Sequence, residues 1–171
     1  GKNFEEVIQK AVRMCEIGKD GLVANNDNDV LDMDIKNEHL KYDSIESSEI
    51  EKIENSLIHP DDEIIFNIVK AIKIGLSIDK IYKLSSIDPW FLIKIKNIVD
   101  EEIKLRNSQF NISLIAEAKK LGFSDRQIGR CFNLDEHQVR QLRKRFGIFP
   151  VIKQIDTLAG EWPAKTNYLY L

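Results

Sequence analysis

Asp88-Pro89-Trp90-Phe91-Leu92-Ile93-Lys94-Ile95-Lys96-Asn97-Ile98-Val99-Asp100-Glu101-Glu102-Ile103 is the stretch on which the fold turns. Aspartate before proline is a helix start: the carboxylate accepts from free first-turn amides, and proline's fixed φ suits the first helical position. Trp90, Phe91, Ile95, Ile98, Val99 and Ile103 then supply an apolar set at helical spacing. Trp90 and Phe91 are adjacent, so one helix cannot turn both into the same core stripe. Either both sit in the core near the helix start, or one of them faces another domain or another copy, which makes Trp90 and Phe91, with Ile95 a turn further on, the interface candidates.

Outward from this helix the same grammar repeats. On the N-terminal side, Ile50, Ile53, Leu57 and Ile58 mark a short helix. Pro60-Asp61-Asp62-Glu63 is expected to open the next, with its carboxylates at the positive end of the helix dipole. That helix carries Ile64, Ile65, Ile68, Val69 and Ile72, and Gly75 ends it; Ser77 caps another through Ile78, Ile81, Tyr82 and Leu84. On the C-terminal side, Leu114, Ile115 and Ala118 run to a stop at Gly122. Ser124-Asp125-Arg126-Gln127 and Asp135-Glu136-His137-Gln138 are capping-box patterns, and Val139, Leu142 and Phe146 line the last helix before Gly147. Phe4, Val7, Ile8, Ala11, Val12 and Cys15 form an amphipathic helix at the front of the chain, closed by Gly18 and Gly21. From Ile148 the helical period is lost. Tyr168 to Leu171 reads as a strand with no partner in this chain, and both ends read as continuing into further structure.

The fold class is therefore all-α: a compact multi-helical domain in two small helical subdomains, with an extended C-terminal tail. Between the first helix and the rest, residues 25–48 open on Asn25-Asn26-Asp27-Asn28-Asp29 and carry no sustained period. They are expected to be a polar, solvated insertion without fixed order. A calcium loop is the sharper reading of that acidic run, but the required glycine and terminal glutamate are missing.

Bulk properties exclude several classes. A net charge of −3 and a pI of about 5.7 give no global attraction to nucleic acid or anionic membrane. No apolar run approaches the roughly 20 residues of a membrane span. Cys15 and Cys131 lack a Cys-x-x-Cys spacing, and His39, His59 and His137 are scattered, so neither a disulfide framework nor a metal set is indicated. A cytoplasmic, reducing compartment is the simplest setting. There is no phosphate-binding Gly-x-x-x-x-Gly-Lys-Ser/Thr loop, no Gly-x-Ser-x-Gly elbow and no His-Glu-x-x-His pair. The carboxylates are expected at helix starts and on solvated faces, where no acid/base pair is split by burial. No catalytic, cofactor-binding or metal-binding residue is therefore assigned.

One motif favours a binding function. Residues 124–147 run helix, short connection through Phe132-Asn133-Leu134, helix, with Arg140, Arg143, Lys144 and Arg145 on the second element. That is the outline of a DNA-binding helix-turn-helix domain, kept as the alternative function. Against it, the recognition turn would present Asp135 and Glu136 to phosphates, and Arg143 to Arg145 sit where they stabilise a helix C-terminus. A small independent enzyme is the third reading, with no residue pattern in its favour.

Four blocks carry a resemblance. Ser86-Ile87-Asp88-Pro89-Trp90-Phe91-Leu92, continued by Lys94 to Val99, is similar to the carbamoyl phosphate synthetase large subunit, in the helical connection domain between its two ATP-grasp halves. Lys120-Leu121-Gly122-Phe123-Ser124-Asp125-Arg126-Gln127-Ile128, together with Val139 to Lys144, resembles the same domain. Pro150 to Ala159 resembles the segment leading to the second half, and Phe4 to Ala11 the helix that closes the first ATP-grasp domain. Leu158 and Gly160-Glu161-Trp162 depart from the family's usual Cys-Ala-Ala-Glu-Phe, and residues 25–48 have no counterpart.

The resemblance implies a domain layout: 1–24 as the closing helix of the preceding ATP-grasp domain, 25–48 as an insertion, 49–147 as the oligomerisation (connection) domain, and 148–171 as an extended linker. It implies Asp88, Pro89, Gly122 and Asp156 as structural motif residues and Trp90, Phe91 and Ile95 as interface candidates. It implies no cofactor in this chain, and a parent enzyme that uses ATP with Mg or Mn, bicarbonate and glutamine (or ammonia) to make carbamoyl phosphate for pyrimidine or arginine synthesis; the asparagine-rich insertion and the many Ile, Lys and Asn residues favour the glutamine-using, pyrimidine-pathway form. The implied partners are the flanking synthetase domains and a second copy, with no nucleic acid and no membrane.

Overall fold

The computed structural model describes residues 1–25, 47–154 and 169–170. Among the described residues the helices are α1 (Phe4–Met14), α2 (Ser47–Ile58), α3 (Ile64–Lys73), α4 (Ile78–Ser85), α5 (Pro89–Asn107), α6 (Ile112–Lys120), α7 (Asp125–Phe132) and α8 (Glu136–Arg145). Helices α2, α3 and α4 pack on one another, and α3 and α4 lean on α5. Helices α1 and α7 meet α5 as well, and α8 closes the second group by packing on α6 and α7. Two small helical sets thus share one long helix. No described helix is long and apolar enough to cross a membrane.

Helix α5 is the strut because its side chains are buried on several sides. Leu92, Ile98, Val99 and Leu105 are fully buried, and Ile95 is 3% exposed. Against them lie Leu57, Ala71, Ile74 and Ile81 from one set, and Ile115, Ala118, Phe123, Ile128 and Val139 from the other, in one continuous core. Burying each of these large aliphatic side chains contributes roughly 1.5–3 kcal/mol.

The helix starts follow the sequence closely. Asp88 Oδ1 accepts from Trp90 N at 2.8 Å with Pro89 opening the helix, and Ser77 Oγ accepts from Lys80 N at 3.2 Å. Both capping boxes are complete, Ser124 with Gln127 and Asp135 with Gln138. The start of α3 differs. It begins at Ile64, not at Pro60, because Asp61 Oδ1 takes the Glu63 amide at 3.0 Å and its carbonyl accepts from Ile64 N. An aspartate that binds the amide two residues on makes a turn in competition with a helical start.

Three further expectations are corrected. Residues 153–154 (β1) and 169–170 (β2) pair antiparallel, Gln154 opposite Leu169, so the C-terminal strand does have a partner in this chain. Backbone amides of an extended segment need acceptors, and the returning tail supplies them. Carboxylates are not confined to helix starts and solvated faces: Glu5, Glu101, Glu102 and Asp125 are all buried, at 3%, 8%, 0% and 6% exposure. Helix α1 is rolled away from its full apolar stripe: Val12 is buried and Phe4 and Ile8 pack on the core, but Glu5 and Gln9 are buried beside them, while Val7 and Met14 stay 45% and 82% exposed.

The expected insertion lies mostly at 26–46, outside the described residues. At its margins Asn25 holds Gly21 O through its amide at 2.9 Å, and Ser47 and Ser48 already belong to α2. Asp156, Leu158 and Trp162 also fall outside the described residues.

Candidate interaction surface

Pro89, Trp90 and Phe91 are the first residues of α5, and a first helical turn has no preceding turn to cover its side chains. Trp90 and Phe91 remain 52% and 43% exposed, so neither enters the core. They stack edge-to-face with centroids 4.9 Å apart, and both meet the ring of Phe4 on α1, at 5.6 and 5.4 Å. Such edge-to-face pairs contribute about 0.5–1.5 kcal/mol each beyond burial. Lys94, one turn on, lies 5.6 Å from the Trp90 ring centroid. Ile95 is the correction: its position on α5 turns it into the core, so it cannot contact a partner. Ile93, 49% exposed, points outward instead.

What fixes this cluster is a buried polar clamp between α1 and α5. Asn97 Nδ2 donates to Glu5 Oε1 at 2.9 Å and Lys94 Nζ stands 3.2 Å from the same oxygen. Burial pushes the Glu5 carboxyl up, but the Asn97 hydrogen bond and the Lys94 charge outweigh it and hold the group below the usual carboxylate range. Gln9 Oε1, one turn on, accepts from Leu22 N at 3.0 Å and from Gln127 Nε2, also at 3.0 Å; Gln127 Nε2 reaches Val23 O at 2.7 Å. Because those polar groups face inward, the outward face of α1 is apolar. Val7 and Met14, seven residues apart, lie two helical turns from one another on that face.

The sequence matches the family described as "Carbamoyl-phosphate synthetase large chain, oligomerisation domain" over residues 1–147. The chain belongs to that family. Among relatives, the oligomerisation domain is 40% identical over 174 residues to "Carbamoyl-phosphate synthase [ammonia], mitochondrial" of Aquarana catesbeiana, with all of this chain covered. It is 39% identical over 175 residues to "Carbamoyl phosphate synthase large chain" of Sulfolobus acidocaldarius and, over the same length, to "Multifunctional protein CAD" of Squalus acanthias. The chain spans only 11%, 15% and 7% of those three proteins' lengths.

The helix-turn-helix outline of the oligomerisation domain is filled from within. Asp125, in the first turn of α7, accepts from Arg143 Nε at 2.9 and 3.0 Å and from Lys119 Nζ at 3.0 Å. Arg140 pairs with Glu136, its Nε 3.5 Å from Asp125. Two of the four cations that a recognition helix would offer to phosphates, Arg140 and Arg143, are thus directed at carboxylates of the same fold, and nothing supports DNA binding. Burial raises the Asp125 carboxyl, yet Lys119 and Arg143 more than reverse this, so its pKa is lowered. Lys119 is pushed below the usual ammonium range by its own burial, with Asp125 opposing.

These shifts set the acid response of the oligomerisation domain. Asp125 and Glu5 have folded pKa values below their unfolded ones, so they stabilise the fold above the carboxylate range and lose that contribution as pH falls through their folded values. Glu101 has the opposite sign, because burial raises it against the opposing Lys104 charge. The melting temperature is expected to fall on acidification below about pH 4. Asp125→Asn should flatten that fall, measured by circular dichroism melts across pH; an unchanged slope would remove Asp125 from the account.

Beside this network runs a groove of about 630 Å³ between α1, α6, α7, α8 and the segment after α8. Its floor carries Lys10, Arg13, Lys119, Lys120, Arg140 and Arg143 against Glu6, Asp125 and Glu136, six cations to three carboxylates. Ile148 to Val151 form an apolar lip, with Phe149 and Val151 58% and 66% exposed. Sequence reasoning missed the groove because its walls come from four helices and its cations are spread from Lys10 to Arg143. Among the described residues no cluster of metal-ligating side chains occurs.

Proposed function

We propose that the chain is a spacing and self-association unit within a carbamoyl-phosphate synthase large chain, carrying no reaction step itself. The parent would join bicarbonate, nitrogen from glutamine or ammonia, and phosphoryl groups from ATP with Mg or Mn in flanking synthetase units, for pyrimidine synthesis. The names of the relatives support the carbamoyl-phosphate part of this reading. The observation that carries the spacing and association part is the Phe4–Trp90–Phe91 cluster, large aromatic surface outside the core on a framework that a buried polar clamp holds fixed. Exposed apolar clusters of this kind mark contact sites, and aromatics dominate the centres of interfaces. Helix α5, 19 residues and so about 28 Å long, is a strut on which two helical sets are mounted. We place the parent in the cytoplasm, a reducing compartment that suits the exposed free thiol of Cys15.

The reading is tested in the intact large chain with Trp90→Ala/Phe91→Ala, by light scattering after gel filtration and by carbamoyl phosphate formation. A smaller assembly, with synthesis retained in the remaining unit, is expected. Unchanged mass at every concentration would refute the assignment of this cluster to assembly.

A further inference from the structure

Two adjacent glutamates on α5 are buried, and the fold treats them differently. Glu102 has two cations, Lys73 of α3 at 3.0 Å and Arg106 at 2.9 Å. Glu101 has one, Lys104 of its own helix, and that at 3.8 Å. Its Oε1 is buried and accepts no hydrogen bond from the described residues. Lys104 is also shared, because its ammonium pairs with Glu117 in the last turn of α6. Two carboxylates on different helices thus divide one cation. The pair of Lys104 with Glu117 is half-exposed and by itself contributes little. Its effect comes from where it ends, over a buried carboxylate.

Lys104 and Glu117 are the charges that act on Glu101. From the other helices packed on α5, charged groups are engaged elsewhere: Glu5 of α1 with Lys94 and Asn97, and Lys80 of α4 with Glu54. On α7, Asp125 is held by Lys119 and Arg143, and Arg126 and Arg130 pair with Asp20. Burial raises the Glu101 carboxyl above the usual glutamate value of 4.5, Lys104 opposes this, and the like charge of Glu117 adds to the rise. For a carboxyl whose folded value lies above its unfolded one, ionisation costs the fold stability above the folded value, and the cost is relieved as pH falls through it.

Helix α6 is in turn the mount of α1. Asn3 Nδ2 donates to Lys120 O at 3.3 Å, Gln9 Nε2 to Leu121 O at 3.4 Å and Arg13 Nη2 to Gly122 O at 3.0 Å. These carbonyls lie at the C-terminal end of α6, where a helix leaves its acceptors unpaired. A change in how firmly α6 sits on α5 is therefore passed to α1. We propose that Glu101, Lys104 and Glu117 form a proton-responsive junction: a proton taken up by Glu101 leaves Lys104 to Glu117 and tightens α6, with α1 mounted on it, against the shared helix. The α2–α4 set, tied to α5 through the fully paired Glu102, does not take part. The junction is independent of the self-association reading, since it needs no second copy.

Two readouts on the folded chain test it. The first is the titration of the Glu101 carboxyl, followed by carbon-13 NMR in the wild type, Glu117→Gln and Lys104→Met. The wild-type midpoint is expected above 4.5. It should be lower in Glu117→Gln, which removes the like charge and frees Lys104, and higher in Lys104→Met. Burial alone would leave one midpoint in all three chains, and that result would overturn the shared-cation geometry. The second readout is amide hydrogen exchange, corrected for the intrinsic rate at each pH. Wild-type α6 and α1 are expected to gain at least about threefold protection between about pH 7 and about pH 5. Glu101→Gln, neutral at every pH, is expected to hold the higher protection throughout, with the α2–α4 set unchanged. Wild-type protection that does not rise on acidification, or a Glu101→Gln chain less protected than the wild type at neutral pH, would overturn the proposal. So would an equal gain in α2–α4, which would assign the effect to the whole fold.

Discussion

Glu102→Ala is expected to lower the stability of the domain by about 3–5 kcal/mol, the range for breaking a buried ion pair from one side. Glu102 is fully buried on α5, and its two cationic partners are only 6% exposed. Arg106 Nη2 and Nε reach Glu102 Oε1 at 2.9 and 3.0 Å from one turn ahead, and Lys73 Nζ of α3 stands 3.0 Å from Oε2. The carboxylate therefore ties the α2–α4 set to the shared helix while satisfying a guanidinium on its own helix. Without it, two cations face each other away from water, and each retains its desolvation penalty with less compensation. For a chain of this size the loss corresponds to a drop of about 10 °C in melting temperature. Replacing Lys73, Glu102 and Arg106 together by methionine or leucine removes the charges as well as their pairing, and should recover most of the loss. A single Glu102→Ala variant that melts within about 2 °C of the wild type would show that the ion pair does not hold the two sets together.

Gly122→Ala is expected to cost about 3 kcal/mol, from two sources that a control separates. Its φ of +85° lies in the left-handed region, where a side chain brings about 1–3 kcal/mol of strain. A Cβ here would also stand 2.8 Å from Glu6 Cα and 3.1 Å from Glu6 O, which are backbone atoms of α1. Helix α1 must then move off the α6–α7 corner, and Arg13, which donates to Gly122 O, moves with it. Gly147 has a similar φ of +74° but nothing within 4 Å of such a Cβ. Gly147→Ala therefore reports the strain alone, and the difference between the two variants in urea midpoint reports the contact with α1. Equal losses in the two variants would mean that the close approach of α1 contributes nothing.

Much of the fold was legible because helix ends are local. Asp88-Pro89, Ser77, Ser124 with Gln127 and Asp135 with Gln138 specify their caps within four residues, and the structure makes each of those hydrogen bonds. Even there, Asp61 chose a turn over a helix start, a competition that propensity does not resolve. The orientation of α1 was not legible. Its apolar spacing points to a face of Phe4, Val7, Ile8, Ala11, Val12 and Cys15; Val12 is buried and Phe4 and Ile8 pack on the core, but the fold also buries Glu5 and Gln9 and leaves Val7 exposed. Their partners, Asn97, Lys94, Leu22 and Gln127, are up to 118 residues away, and one sequence carries no signal of such pairings. The same holds for Glu102 with Lys73. At the candidate surface, adjacency argues that Trp90 and Phe91 do not share a core stripe, but it does not show that Phe4 gathers both outside the core. Ile95 was misplaced for a related reason: spacing alone does not say which neighbours cover a helix face.

Sedimentation velocity of the wild-type chain and of Trp90→Ala/Phe91→Ala, over a wide concentration range at low and high salt, tests the central claim most directly. The account predicts a reversible association of the wild type that persists in part at high salt, and a double variant that loses the salt-resistant part while melting cooperatively. A wild type that sediments as a monomer throughout, or a double variant that associates as the wild type does, would contradict it.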